Sequence, residues 1–252
     1  MTASPRKKRL DQLVVEQGLA GSRERARTLI MAGQVLVNDI LLDKPGVMVA
    51  EDARITCRSE DIAYVSRGGL KLVHALQEFR IDPTGWDCLD VGASTGGFTD
   101  CLLQHGAESV CAVDVGYGQL AWKLRQDPRV RVIERKNIRY ISETELPSPF
   151  DLITIDVSFI SLRIVVPAIQ QYLKPSGHII ALIKPQFEAG KDQVGKGGVV
   201  RDASIHDIVI NRLTHFFESE CGLSVGPVVP SPILGPKGNR EFLVLLAPGV
   251  AQ

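Results

Sequence analysis

The sequence predicts an α/β domain, with a mostly parallel sheet and helices on both faces, preceded by a small α+β domain. Three observations carry this. From residue 87 onward, short apolar runs alternate with helical stretches. Before residue 58, two short amphipathic helices precede several short strands. Between them, residues 58–68 are polar at first and end in Gly68. The domains are therefore placed at 1–57 and 69–252, with 58–68 as a linker, and the length of 252 residues suits a small domain joined to a medium one.

The elements follow in order. Leu10, Leu13, Val14 and Gln17 recur at helical spacing, and Gly18 ends that helix. Ser22 is the expected N-cap of the helix from Arg23 to Ile30, with Ala26, Leu29 and Ile30 as its apolar stripe. Gly33 ends it. Val35 and Val37 alternate as a strand, Asn38-Asp39 turns into Ile40-Leu41-Leu42, Lys44-Pro45-Gly46 turns again, and 53–57 is a further strand. In the second domain a helix is expected over 69–79. Strands are expected at 87–91, 109–114, 130–133, 151–156, 178–184, 224–229 and 241–246, and helices at 97–104, 117–126, 161–172 and 203–220. Proline-rich residues 230–236, not a helix, join the last two strands, so the seventh strand is expected to be antiparallel.

Lys+Arg and Asp+Glu both number 29, so the net charge is zero. That excludes a uniformly basic nucleic-acid coat and an acidic disordered chain. The charge is nonetheless uneven. Arg6, Lys7, Lys8, Arg9, Arg23, Arg25 and Arg27 face only Asp11, Glu16 and Glu24 within residues 1–30. This basic head is either a solvated tail and helix face or a surface for phosphates. The five cysteines contain no Cys-x-x-Cys and the histidines no ligand spacing, so neither a disulfide framework nor a metal site is expected. The cysteines read as small apolar core residues. No apolar segment follows the basic start, and 221–236, the longest uncharged stretch, is broken by prolines. A cytoplasmic protein without a membrane span is expected.

A glycine-rich turn follows the first strand of the second domain: Asp90-Val91-Gly92-Ala93-Ser94-Thr95-Gly96-Gly97-Phe98. It is either a tight strand-to-helix turn or a ligand cradle at the carboxyl end of a parallel strand. The spacing misses both the dinucleotide fingerprint and the P-loop ending. Asp90 precedes the glycines, and Asp114 ends the next strand, where a carboxylate accepts bonds from ribose hydroxyls. Asn137 follows the third strand, where an adenine would lie. An amino-acid end plus an adenosine ribose satisfies this pattern, which fits S-adenosylmethionine.

Four further charges collect at the same edge. Lys71 lies on the first helix, Asp156 and Lys184 end the fourth and fifth strands, and Glu241 opens the last. Singly each reads as a surface charge or ion pair. Together they form an ionic group that is costly to assemble without a function.

Residues 8–57 resemble the S4 domain, an RNA-binding module, through Ser22-Arg23, Ala26, Leu29-Ile30, Gly33, Val35, Val37-Asn38 and Lys44. Residues 66–246 resemble the FtsJ-type methyltransferases, a Rossmann-like fold. The whole chain resembles the TlyA family of S4-containing ribosomal RNA 2′-O-methyltransferases. The strings are Ser66–Leu72, Asp90–Asp100, Asp114–Trp122, Asp156–Leu162, Lys184–Glu188, Lys196–Asp202 and Gly235–Glu241. The resemblance implies methyl transfer from S-adenosylmethionine to a cytidine 2′-hydroxyl in 16S or 23S rRNA. It also implies that Lys71, Asp156, Lys184 and Glu241 form the catalytic tetrad. Within it, Lys184 is read as the base or as the group that positions the oxygen. Ribosomal RNA or a ribosomal subunit is the expected partner.

Candidate cofactor contacts are Asp90, Gly92, Ala93, Ser94, Thr95, Gly96, Gly97, Phe98, Asp114, Asn137 and Asp156. Candidate RNA contacts are Arg6, Lys7, Lys8, Arg9, Arg23, Arg25, Arg27, Lys44, Arg67, Lys191, Lys196, Arg201 and Lys237. Lys191, Lys196 and Arg201 lie in a glycine-rich loop, 188–201, read as a mobile lip or a merely solvated loop. Phe159 and Phe187 are assigned to core packing, with stacking on a flipped cytosine as the alternative. Two other functions compete: a non-catalytic RNA-binding or ribosome-assembly factor, and a membrane-active haemolysin. The intact turn and tetrad weigh against the first, and the lack of a spanning segment or long amphipathic basic helix against the second.

Overall fold

The computed structural model describes residues 6–31, 33–57, 63–142, 144–146, 149–190 and 192–249. The chain divides into two compact units, Met1–Ile62 and Ala63–Gln252.

In the first unit the elements are β1 (Lys7–Arg9), α1 (Leu10–Glu16), α2 (Arg23–Met31), β2 (Val35–Val37), β3 (Ile40–Leu41), β4 (Met48–Ala50) and β5 (Ile55–Cys57). Leu10, Leu13 and Val14 of α1 meet Ala26, Leu29 and Ile30 of α2 over Val35, Val37, Val49 and Ile55 in one small core. Ser22 caps α2, its Oγ accepting the Arg25 N–H at 3.2 Å. Asn38 (φ 49°) and Asp39 (φ 66°) both take the left-handed region that a two-residue hairpin turn demands. The basic run does not form the solvated tail considered from sequence. Lys7–Arg9 is a strand, antiparallel to β4 in the register Lys7↔Ala50 and Arg9↔Met48. An all-basic strand has no hydrophobic alternation, so periodicity cannot reveal it.

The second unit contains α3 (Gly68–Phe79), β6 (Asp87–Val91), α4 (Gly97–Gln104), β7 (Ser109–Val113), α5 (Trp122–Arg125), β8 (Val130–Ile133), β9 (Phe150–Ile155), α6 (Leu162–Ile169), β10 (Leu173–Ile183), α7 (Pro185–Glu188), α8 (Ala203–Ser219), β11 (Leu223–Pro230) and β12 (Phe242–Pro248). They build a seven-stranded sheet of order β11-β12-β10-β9-β6-β7-β8. The strands from β10 to β8 run parallel, and β12 is antiparallel to both β10 and β11, as expected for the last strand. This is a Rossmann-like topology with one antiparallel strand.

Both faces of the sheet are buried, which explains the near-continuous apolar runs. Leu89, Val91, Cys111, Val113, Ile153 and Ile155 share one core with α6 and α8. The alternate residues Cys88, Asp90, Val110, Leu152 and Thr154 are buried on the opposite face, where Asp90 meets Thr99 of α4.

Three expectations change. The helix expected over 117–126 shrinks to Trp122–Arg125, because Gly118 (φ +72°) and its neighbours keep 115–121 irregular. The strand expected at 178–184 begins at Leu173. Residues 63–67, expected as linker, belong to the second unit. Tyr64 is 8% exposed and covers Gly69 so closely that no Cβ fits there, and the Val65 N–H donates to Asp100 at 2.7 Å. Among the described residues no helix is long and apolar enough to cross a membrane.

Candidate active site

The turn after β6 is shaped for close approach. Gly92 has φ +87°, and a Cβ there would lie 2.6 Å from the Asp156 carbonyl oxygen. A Cβ on Gly97 would overlap Ser66 Oγ. Backbone therefore abuts backbone along the carboxyl edge of β6 and β9, and the space above it is a cleft of two lobes.

The first lobe, 660 Å³, is walled by Lys71, Asp156, Lys184, the turn after β6 and the segment 233–238. The second, 780 Å³, is walled by Asp114, Asn137, Gln119, Ile138, Phe159 and Phe187 among others. Gly92, Ser94, Asp156 and Ser158 line both, so the lobes meet at the end of β9.

Of the turn residues, Gly92, Ala93, Ser94, Thr95, Gly97 and Phe98 line the first lobe, while Gly96 lines neither. Asp114 holds the turn in place: its carboxylate accepts the Ser94 N–H at 2.8 Å and the Gly116 N–H at 2.6 Å. Asn137 lines the second lobe but spends its side-chain oxygen on the Arg139 N–H at 3.1 Å. Asp90 departs from expectation. It is 0% exposed, lines neither lobe, and accepts hydrogen bonds from Thr99 Oγ1 at 2.6 Å and Thr154 Oγ1 at 3.1 Å. Burial, only partly offset by those two bonds, pushes its pKa up to about 6. It braces the turn from below and does not face the cleft, because strand alternation turns its side chain toward α4.

The four expected charges form two ion pairs. Lys184 Nζ lies 2.6 Å from Asp156 Oδ1 and donates to Ser158 Oγ at 3.0 Å. Lys71 Nζ donates to Glu241 Oε2 at 2.6 Å. Lys71, Asp156 and Lys184 face the first lobe. Glu241, 2% exposed, does not, because Gly235 lies against its carboxylate. Sequence reasoning gives no role to Ser158 and, in the 233–238 wall, a role only to Lys237 as an RNA contact, although the glycines flanking Pro236-Lys237 signal a turn directly before Glu241. It also passed over Glu188. That residue, 8% exposed, accepts Ser161 Oγ–H at 2.6 Å and the Leu162 N–H at 2.7 Å, and burial raises its pKa.

Phe159 is not a core residue. It is 90% exposed, holds φ +63°, and its ring centroid lies 4.8 Å from that of half-buried Phe187 on the wall of the second lobe. Strain in an exposed bulky residue beside a cleft is a functional signal that sequence does not carry.

In the first unit, Asp11 is 1% exposed and ties two of the basic residues together, with Arg9 Nε at 3.0 Å and Arg23 Nε at 3.1 Å. The hydrogen bond from Arg9 is the largest cause holding its carboxyl below the usual range. Lys8 pairs with Glu16 at 3.0 Å. Arg6, Lys7, Arg27 and Lys44 are exposed, and Arg25 is half-buried. In the second unit, Arg67 donates to the Leu234 carbonyl at 3.3 Å and Lys237 to the Gly197 carbonyl at 2.9 Å, and both line the first lobe. Lys196 and Arg201 are exposed nearby in sequence, and Lys191 lies outside the described residues.

The FtsJ-like methyltransferase family model matches residues 64–247, and the S4 domain model matches residues 8–55. The chain is 50% identical over 98% of its length to "Putative rRNA methyltransferase YqxC" of Bacillus subtilis, covering 88% of that protein. It is 45% identical over 96% of its length to the 16S/23S rRNA (cytidine-2'-O)-methyltransferase TlyA of Mycobacterium tuberculosis, covering 90% of it. A solved structure, "Putative hemolysin from Streptococcus thermophilus", matches with TM-score 0.76 at 45% identity, over 98% of this chain and 91% of that one.

Proposed function

This chain belongs to the FtsJ-like methyltransferase family, with an S4 domain ahead of the catalytic unit, and we propose that it methylates a cytidine ribose 2′-hydroxyl in ribosomal RNA. The observation that carries the reading is the meeting of two lobes at Asp156, one walled by the Asp156–Lys184 pair and by Lys71, which buried Glu241 holds from behind, and the other by Asp114.

The residues suit S-adenosylmethionine as donor. The second lobe offers a carboxylate for a ribose diol at Asp114 and apolar wall at Ile138, Ile164 and Val113 for an adenine. Gly92 leaves backbone, not side chain, where a ligand must pass between the lobes. When bound, this cofactor supplies a sulfonium-activated methyl group.

The chain's own work lies in the first lobe. A 2′-hydroxyl is a poor nucleophile until its proton is leaving. Asp156 supplies an acceptor for that proton, and the Lys184 ammonium, 2.6 Å from it, stabilises the charge developing on oxygen. Lys71, fixed by Glu241, holds the oxygen from the other side and makes alignment the main catalytic contribution. Phe159 offers a platform for the extruded base. Arg67 and Lys237 take flanking phosphates, while the S4 unit supplies a salt-sensitive grip.

The test is transfer of labelled methyl from S-adenosylmethionine to purified 30S and 50S subunits lacking the modification. Label in rRNA supports the reading. Cofactor binding without label in either subunit or in free rRNA overturns the acceptor, and absence of cofactor binding favours the non-enzymatic RNA-binding role.

A further inference from the structure

We propose that Asn239 is a positioning residue, fastening the glycine-rich hairpin 195–199 to the turn 235–239, so that RNA backbone engaging the hairpin sets the Lys71–Glu241 pair. The inference rests on the methyltransferase reading above.

Asn239 is 3% exposed, rare burial for an uncharged polar side chain in a turn. Its amide is used in full. Nδ2 donates to the Gly198 carbonyl at 3.0 Å and to the Pro236 carbonyl at 3.1 Å, and Oδ1 accepts the Val200 N–H at 3.1 Å. The hairpin is itself closed by the Gly195 N–H donating to the Val199 carbonyl at 3.0 Å. Lys237 adds a second tether to the Gly197 carbonyl at 2.9 Å. The loop, read from sequence as a mobile lip or a solvated loop, is thus pinned over 197–200.

The other end of the turn bears on the site. Gly235 donates its N–H to the Asn239 carbonyl at 2.9 Å. A Cβ on Gly235 would overlap the Glu241 carboxylate, so any shift of the turn is felt there. Glu241 in turn holds Lys71 at 2.6 Å. The path Gly198–Asn239–Gly235–Glu241–Lys71 consists of direct contacts. The buried amide has no spare donor and Gly235 no spare room, so the turn moves as one piece. Its inner side, Lys237 and Gly238, lines the first lobe, and the hairpin it grips carries exposed Lys196.

Asn239→Ala, Gly235→Ala and the double variant are compared with the wild-type chain in methyl transfer to unmodified subunits, with cofactor affinity measured separately by calorimetry. For Asn239→Ala the expected result is a fall of about tenfold in kcat at saturating RNA, in line with the sensitivity of alignment to small displacements. The KM for RNA rises, and cofactor affinity stays within about twofold. Gly235→Ala lowers kcat with little change in KM, and the double variant is no slower than the worse single, because both act on one path. A change in KM alone, independent losses that multiply in the double variant, or a matching loss of cofactor affinity would each overturn the proposal. Absence of transfer by the wild-type chain would instead refute the underlying reading.

Discussion

Replacing Asp90 with asparagine removes a titrating group from beneath the glycine turn and leaves its shape nearly unchanged. The carboxylate is 0% exposed, and burial lifts its pKa from 3.8 to about 6 despite hydrogen bonds from Thr99 and Thr154. The folded chain therefore holds this proton more tightly than the unfolded chain. The contribution of Asp90 to stability is most favourable below about pH 4 and is lost as the pH rises to about 6, after which it is flat. At about 1.36 kcal/mol per pH unit, the rise from 3.8 to about 6 is worth about 3 kcal/mol. Asp90→Asn carries no charge at any pH. Its unfolding free energy relative to the parent should therefore improve by up to about 3 kcal/mol between pH 4 and pH 7. Urea unfolding followed by tryptophan fluorescence is the assay, since both tryptophans, Trp86 and Trp122, lie in the second unit. A difference that does not change with pH would refute the reasoning. A trend of the opposite sign would mean that the two threonines hold the anion more strongly than burial repels it.

Two further outcomes are expected. Gly92→Ala forces a side chain into φ +87° and 2.6 Å from the Asp156 carbonyl. It should cost about 1–3 kcal/mol of stability and weaken cofactor binding more than tenfold, as read by thermal melts and calorimetry. Phe159→Ala removes a ring that is 90% exposed, so the melting temperature should stay unchanged. If the ring stacks on the target base, single-turnover transfer to rRNA should fall by about tenfold or more, in keeping with about 1–3 kcal/mol per stacked base.

Much of the fold is legible because its signals are local. Apolar runs mark the buried parallel strands, and a proline-rich connection with no room for a helix betrays the antiparallel last strand. Lys71, Asp156 and Lys184 meet in space because β9 and β10 end on the same edge that α3 borders. What sequence did not disclose depends on orientation or on distant partners. Asp90 sits at a strand end yet turns away from the cleft. Glu241 reaches the lobe only through Lys71. Lys7–Arg9 becomes a strand because Met48–Ala50 offers it a partner. Tyr64 is drawn onto the second unit by an α3 glycine without a side chain. Phe159 reads as apolar and therefore internal, and only its backbone strain and exposure mark it as a surface instrument.

The most direct measurement maps the methyl group after transfer to unmodified 30S and 50S subunits, by the wild-type chain and by Asp156→Ala at saturating cofactor. The account predicts label at a cytidine 2′-oxygen, recovered as a nuclease-resistant dinucleotide, and near-zero transfer by Asp156→Ala with cofactor binding retained. Label on a base, or ordinary turnover by Asp156→Ala, would contradict it.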